Sequence, residues 1–286
     1  MADPLPVVVR KADFIREFQR LAPHRHRYEV FRDFVHMSAF SMANAWPYTR
    51  SEAIEAEFMS IKAKYTAEEF KGLRRLFGIL QELLEPEPRD ILGQLYMSLE
   101  LGNQHTGQFF TPPEVSEMMA RMMVSSEGDP LRGKQFVTLS EPACGAGGMV
   151  LAFVKILIEA KRNPMHRLWV HAQDVDRTAA LMCYIQLSLW GVPAAVVVGN
   201  TLMNEQREVF HTIAHHMGGW KWRLARQAEE QNAQKATTET PTDEATATAT
   251  TAPPEPRPFA PVATVSYTHL RAHETDSYLV CRLLLE

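Results

Sequence analysis

The chain has 286 residues, 45% of them hydrophobic and 22% charged, an ordinary composition for a globular protein of one or two domains. Its net charge of −4 supplies no global basic field for nucleic acid, although a local basic patch stays open. Cys144, Cys183 and Cys281 fit neither a disulfide framework nor a zinc site, which predicts a reducing, cytoplasmic compartment.

The N-terminal MADPLPVVVRKADF lacks the apolar core of a signal peptide, and no apolar run approaches the ~18 residues of a membrane span. Up to about Pro88 the pattern is helical. Ala12–Leu21 and Glu29–Ala45 carry apolar residues near helical spacing, and Ser51–Ile61 and Thr66–Leu84 follow. Thr66-Ala-Glu-Glu begins the last of these with a capping residue and early acids. Phe70, Leu73, Leu76, Phe77, Leu80 and Leu84 then keep the helical period. The basic run APHRHR around His24 and His26 reads as a solvated loop, with phosphate contact as the alternative.

Pro86-Glu-Pro88 breaks the helix. Asp90–Asn103 predicts another helix, ended by Gly102-Asn103. Phe109-Phe110-Thr111-Pro112-Pro113 is extended, because a residue before proline avoids the α region. A helix then starts near Pro113, with Val115, Met118, Met119 and Met122 as its apolar, core-facing stripe.

A strand over Gln135–Leu139 runs into Glu141-Pro-Ala-Cys144-Gly145-Ala-Gly147-Gly148, and an apolar helix continues to about Ala160. Glycine tolerates positive φ and lets a ligand approach bare backbone. The following helix start offers unpaired N–H groups to an acidic ligand group. A second strand, Trp169–Ala172, ends in Gln-Asp174-Val-Asp176, and a helix covers Arg177–Leu189. A third strand, Ala194–Val198, ends in Gly199-Asn200. This alternation predicts a parallel, doubly wound α/β sheet whose two faces are both covered. Glu205–Met217 reads as helical. Trp220-Lys-Trp222-Arg223 could stack on bases or pack on the domain. Leu224–Gln234 is a charged helix, and the Thr-, Ala-, Pro- and Glu-rich stretch from Ala236 to Thr264 is too polar to fold.

In an open parallel sheet ligands lie outside the carboxyl ends of the strands. Glu141, Asp174 and Asn200 therefore face one ligand, in an arrangement that suits a nucleoside: backbone at the turn, an acid for ribose hydroxyls, an amide for a base edge. A dinucleotide fingerprint competes, but the last glycine is out of place and the acid comes later than about 20 residues on. His211 and His215 stand one helical turn apart and could ligate metal, though no Glu or Cys completes the set.

GQFFTP, EPACGAGGM, AQDVD and GNTL occur in that order, with DILGQLYMSLELGN just ahead. Together they resemble the modification subunits of type I restriction–modification systems, adenine-specific DNA methyltransferases that use S-adenosylmethionine. The resemblance covers roughly Ser51 to Leu202. It implies a Rossmann-like methyltransferase domain after an α-helical domain, here a helical domain over 1–104 and a cofactor-binding domain over 105–227; composition adds a low-complexity linker over 228–264, and 265–286 is expected to be a non-native tail for the reason given below. By that resemblance Phe109, Thr111 and Pro112 pack over the cofactor. Glu141, Cys144, Gly145, Gly147 and Gly148 hold its methionine part, Asp174 takes the ribose hydroxyls with Asp176 close by, and Asn200 meets the adenine. The family usually has Asp where this chain has Glu141 and Asn200; glutamate keeps the charge, and asparagine offers both a donor and an acceptor.

The family's partners are DNA and a separate specificity subunit. Its grip on the flipped target base is an Asn-Pro-Pro-Tyr or Asn-Pro-Pro-Phe segment after the fourth strand. None is found, since Asn163-Pro164-Met165 precedes the second strand. No catalytic residue is assigned. Either the chain is cut short, or it is a cofactor-binding or DNA-binding partner that does not methylate.

VSYTHLRAHET (Val265–Thr275) is one reading frame of a DNA string resembling the transposase adapter used for sequencing libraries. LVCRLLLE (Leu279–Glu286) is one frame of that adapter's flow-cell end. Val265–Glu286 is therefore expected to be no part of the fold. A genomic read made without that adapter is expected to lack these codons; finding them in it removes the idea.

Overall fold

The computed structural model describes residues 9–101, 110–127 and 134–238. Phe109, most of the low-complexity stretch and the adapter-like tail lie outside the described residues.

Five helices come first: α1 (Lys11–Arg20), α2 (Arg27–Ala43), α3 (Glu52–Lys62), α4 (Ala67–Leu84) and α5 (Ile91–Ser98). Their starts follow from the sequence. Thr66 and Glu69 form a capping box on α4, and Ser51 and Asp90 cap α3 and α5, each satisfying an N–H that the helix cannot. Phe14, Phe18, Phe31 and Phe34 form the centre of this layer, in stacked and edge-to-face pairs. In the basic loop Arg27 is structural: its guanidinium donates to the carbonyls of Leu21 and Ala22 at 3.0 and 2.7 Å, closing the end of α1.

The α/β part follows as α6 (Pro113–Glu127), β1 (Val137–Glu141), α7 (Gly148–Glu159), α8 (Pro164–Arg167), β2 (Leu168–Asp174), α9 (Arg177–Leu189), β3 (Ala194–Val198), β4 (Glu208–His211), α10 (Ile213–Met217) and α11 (Trp220–Thr238). The strand order is β1-β2-β3-β4, with β1, β2 and β3 parallel. β4, which the sequence pattern read as helix, is antiparallel to β3. Four residues are too few to show a period, and tertiary pairing decides them. The sheet is thus mixed.

Strands that advance one place at a time through right-handed crossovers put α7 and α9 on one face. Val137, Leu168, Val170, Ala172, Val196 and Phe210 line that face and are buried. The opposite face carries Ser140, His171 and His211 in lateral register, and Ser140 and His211 are exposed. Gln173, Ala195 and Val197 of that face are nevertheless buried, and Trp169 on it bonds His215 of α10, so the face is covered in part and open at Ser140 and His211. The methionine stripe of α6 also departs from expectation. Met118, Met119 and Met122 are 57%, 44% and 61% exposed, while Ser116 and Ala120 are buried. The small residues one turn apart let α6 approach α7 closely, and the methionines face outward.

One hydrophobic core runs from the helical layer into the sheet layer. Where they meet, Arg177 donates to Glu57 at 2.9 Å and to Glu208 at 2.8 Å, and His36 Nε2 lies 3.3 Å from Thr178 Oγ1. Burial, and next the Arg177 charge, push the His36 pKa down to about 4 from 6.5. The unfolded chain takes a proton near 6.5 and the folded chain does not until about 4, so stability falls as pH drops through that window. His36→Asn is expected to make the fall in melting temperature between those pH values shallower than in the parent protein, as read by thermal denaturation.

Candidate functional site

The carboxyl ends of β1, β2 and β3 lie side by side, and the three loops that leave them are tied together. Cys144 N–H donates to Gln173 O at 2.9 Å and Gly199 N–H to Asp174 O at 2.9 Å. Thr201 Oγ1 donates to Pro142 O at 2.7 Å. These bonds join the glycine turn after β1 to the ends of β2 and β3.

The turn itself needs its glycines. Gly145 has φ +52° and Gly147 φ +93°, a region that costs any other L-residue steric strain. A Cβ on Gly147 would lie 3.0 Å from Cys183 Sγ, and one on Gly145 would lie 3.1 Å from the Phe110 ring. Gly147 is also the N-cap of α7, so the first N–H groups of that helix open beside the turn, Gly148 leading. Cys144 is buried against Cys183, and that contact, followed by burial, raises its thiol pKa well above normal. Cys144 is thus a packing residue behind the turn.

Asp174 joins strand to turn: its Oδ2 accepts from Gly145 N–H at 2.8 Å and its Oδ1 from Asp176 N–H at 2.9 Å. Burial raises its pKa, against the lowering effect of those bonds. Glu141 is raised for the same first reason, opposed by its bond from Ala143 N–H, and the Asp174 charge adds to the rise. Two carboxylates thus share a partly dry corner with no cation against either among the described residues, an arrangement that favours a positively charged ligand.

Asp176 sits at the same loop, but its Oδ1 accepts from Ala179 N–H at 2.7 Å as the cap of α9. Asn200 Oδ1 accepts from Leu202 and Met203 N–H at 3.0 and 3.2 Å, which leaves its Nδ2 as the group to offer a ligand. Thr111 and Pro112 are exposed beside the half-buried Phe110. Phe110 is the residue that sequence reasoning passed over. Its ring meets Tyr96 edge-on at 5.4 Å and stands against Gly145. The family resemblance pointed to its neighbour Phe109, which lies outside the described residues.

Other candidates lie elsewhere. Asn163 caps α8 by accepting from Met165 N–H at 2.9 Å, at the start of β2 and so at the far end of the sheet from the turn. Trp220 is buried, its Nε1 donating to Met165 O at 3.2 Å with the Arg223 guanidinium 3.7 Å from its ring centre. That is packing, while Trp222 is 76% exposed. The His211 and His215 rings lie 4.4 Å apart. Trp169 Nε1–H donates to His215 Nδ1 at 3.0 Å, which puts the proton of a neutral ring on Nε2. Among the described residues no group of His, Cys, Asp and Glu could hold a metal ion.

Residues 88–248, more than half the chain, match the family model described as N-6 DNA Methylase. The chain belongs to the N-6 DNA methylase family. A curated relative, the type I restriction enzyme MpnII methylase subunit of Mycoplasma pneumoniae, is 23% identical over 120 residues, 40% of this chain and 20% of that protein. The chain thus spans about a fifth of the length of the curated relative it matches.

Two solved structures are similar in part. A protein of Listeria monocytogenes described as a class I S-adenosylmethionine-dependent methyltransferase aligns with a TM-score of 0.37 at 11% identity, over 69% of this chain and 55% of that one. The type I restriction-modification system methyltransferase subunit of Streptococcus thermophilus aligns with a TM-score of 0.30 at 14% identity, over 64% and 54%. Family membership covers the whole of α5, the glycine turn and all four strands.

Gly147→Ala is expected to cost about 1–3 kcal/mol of folding stability in urea denaturation, from strain plus the Cys183 contact. Gly191→Ala, at φ +62° with nothing within 4 Å of its Cβ, is expected to cost less, since only the strain remains.

Proposed function

We propose that the chain binds S-adenosylmethionine across the carboxyl ends of β1–β3, as the cofactor-binding part of a DNA adenine methyltransferase of the restriction–modification type. The observation that carries this reading is the Asp174–Gly145 hydrogen bond of 2.8 Å, which makes the acid after β2 and the glycine turn one preformed wall.

The residues present fit the cofactor. The start of α7 at Gly148 offers N–H groups to its carboxylate. Glu141 takes its ammonium, and Cys144, Gly145 and Gly147 shape the floor by close packing. Asp174 has lone pairs left for the ribose hydroxyls, since each carboxylate oxygen accepts more than one bond. Asp176 keeps one oxygen beside it, and Asn200 Nδ2 addresses the adenine edge. Phe110, with Thr111 and Pro112 outside it and Phe109 next in sequence, covers the turn. When bound, the cofactor supplies an electrophilic methyl group. The chain's own part is to hold the donor in one orientation and keep water from it.

DNA is the proposed substrate and a specificity subunit the proposed partner, by family. Domain limits at 104, 227 and 264 remain part of this reading. The base-gripping segment is not found in the described residues: β4 reads Glu-Val-Phe-His and lies beside β3 rather than β1. That observation favours a second reading, a non-methylating cofactor-binding partner of such a system.

Calorimetry with S-adenosylmethionine tests the shared premise. Binding is expected, with Asp174→Ala weakening it at least tenfold, the worth of about 1.4 kcal/mol. Burial raises both acids, so they lose their charge earlier than free carboxylates as pH falls, and affinity for the cationic ligand is expected to drop from neutral pH toward about pH 4. No binding, or an Asp174→Ala protein that binds as well as the parent, removes the site. Methyl incorporation into DNA then separates the two readings: transfer by this chain refutes the non-methylating one.

A further inference from the structure

We infer that Gln186 is a positioning residue for the cofactor turn, holding the Ala146 peptide in place and coupling it to α5 of the helical layer. This rests on the cofactor reading above. Gln186 lies on α9, is fully buried, and touches none of the atoms that would meet a ligand.

Its amide has two donors and two acceptor sites, and all four are used. Nε2 donates to Ala146 O at 2.7 Å and to Asp90 Oδ1 at 3.0 Å. Oε1 accepts from Ile91 N–H at 2.8 Å and from Leu92 N–H at 3.1 Å. Ala146 lies between the two positive-φ glycines, so its carbonyl direction sets which way the neighbouring N–H groups face. Ile91 and Leu92 are the first two residues of α5, whose N–H groups have no helical partner. One side chain therefore satisfies the start of α5 and the carbonyl of the turn together.

The far end of α5 reaches the same turn by another route. Tyr96 packs edge-on to Phe110 at 5.4 Å, and Phe110 stands against Gly145. The helix thus braces the turn at Ala146 through Gln186 and at Gly145 through Phe110. A shift of α5 would carry both contacts with it. Asp90 completes the junction, its Oδ1 also accepting from Gly93 N–H at 2.7 Å. A leucine or methionine of similar size would fill the same space and remove all four of the Gln186 bonds from a dry site.

Gln186→Glu tests the role. Its carboxylate still accepts from α5, but when ionised it donates neither to Ala146 O nor to Asp90. Burial beside Asp90 raises the pKa of the new carboxyl, so S-adenosylmethionine is expected to bind the folded variant about tenfold more weakly than the parent near pH 9, where that group is ionised, the worth of one hydrogen bond. The ratio to the parent is expected to shrink toward about pH 5.5, where the new carboxyl regains a proton to donate. A residue of merely structural importance would lower the melting temperature and leave affinity and its pH dependence unchanged in the folded protein. A folded Gln186→Glu protein that binds within twofold of the parent at both pH values overturns the inference.

Gln186→Asn, an uncharged amide too short to span both partners, is the variant to use if the charge prevents folding. It is expected to weaken binding similarly and to show no pH recovery; parent-like affinity overturns the inference. Amide hydrogen exchange without cofactor separates this from the premise. In either variant residues 142–150 are expected to exchange faster than in the parent. If the parent binds no S-adenosylmethionine, the proposed function fails, and unchanged exchange at 142–150 fails the positioning role by itself.

Discussion

The right-handed crossover is the constraint on which the rest of this structure depends. A strand that twists to the right and feeds a right-handed helix packs back onto its sheet only one way. Applied twice, through α7 and α9, it lays β1, β2 and β3 in sequence order with all three carboxyl ends on one edge. Residues more than fifty positions apart in the chain, Glu141 and Asn200, come together as neighbours of Asp174. No special affinity between those side chains is required. The same constraint puts both crossover helices on one face, where Val170 and Ala172 are buried.

Electrostatics sharpens what the topology assembles. Glu141 and Asp174 are each raised above their usual pKa first by burial, and Asp174 raises Glu141 further. Unpaired carboxylates in a partly dry corner cost folding free energy at neutral pH, since the unfolded chain ionises them freely. Hydrogen bonds from Gly145 and Asp176 N–H offset part of that cost at Asp174. A ligand with positive charge would offset the rest. Arg177, by contrast, pairs with Glu57 and Glu208, and Arg121 with Glu117 and Glu159.

The element order was largely legible before the structure. Helical spacing placed α3, α4 and α5, with a capping residue at the start of α4, glycine placed the turn, and continuous apolar runs placed β1 to β3. Misreadings arose where orientation, rather than periodicity, decides. Val115, Met118, Met119 and Met122 do form one side of α6, but Ser116 and Ala120 face α7, because close approach of two helices selects small residues. β4 is too short to carry a period of its own. Asp176 read as a ligand group and serves first as the cap of α9. Phe110, not singled out beforehand, stands against the turn at Gly145.

The sequence by itself determined the class of the fold, the position of the glycine turn, and the acids and amide at three strand ends, because these rest on local properties: periodicity, capping, and the φ freedom of glycine. Only the tertiary structure decided which of those groups are already occupied. Asp174 bonds the turn, Asn200 spends its oxygen on its own loop, and Gln186, an unremarked polar residue in an apolar helix, joins α5 to Ala146. The bonds of Asp174 to the turn and of Gln186 to Asp90 link residues 29 and 96 positions apart. Their partners are chosen by how helices and strands pack, and no pattern along the chain records that choice.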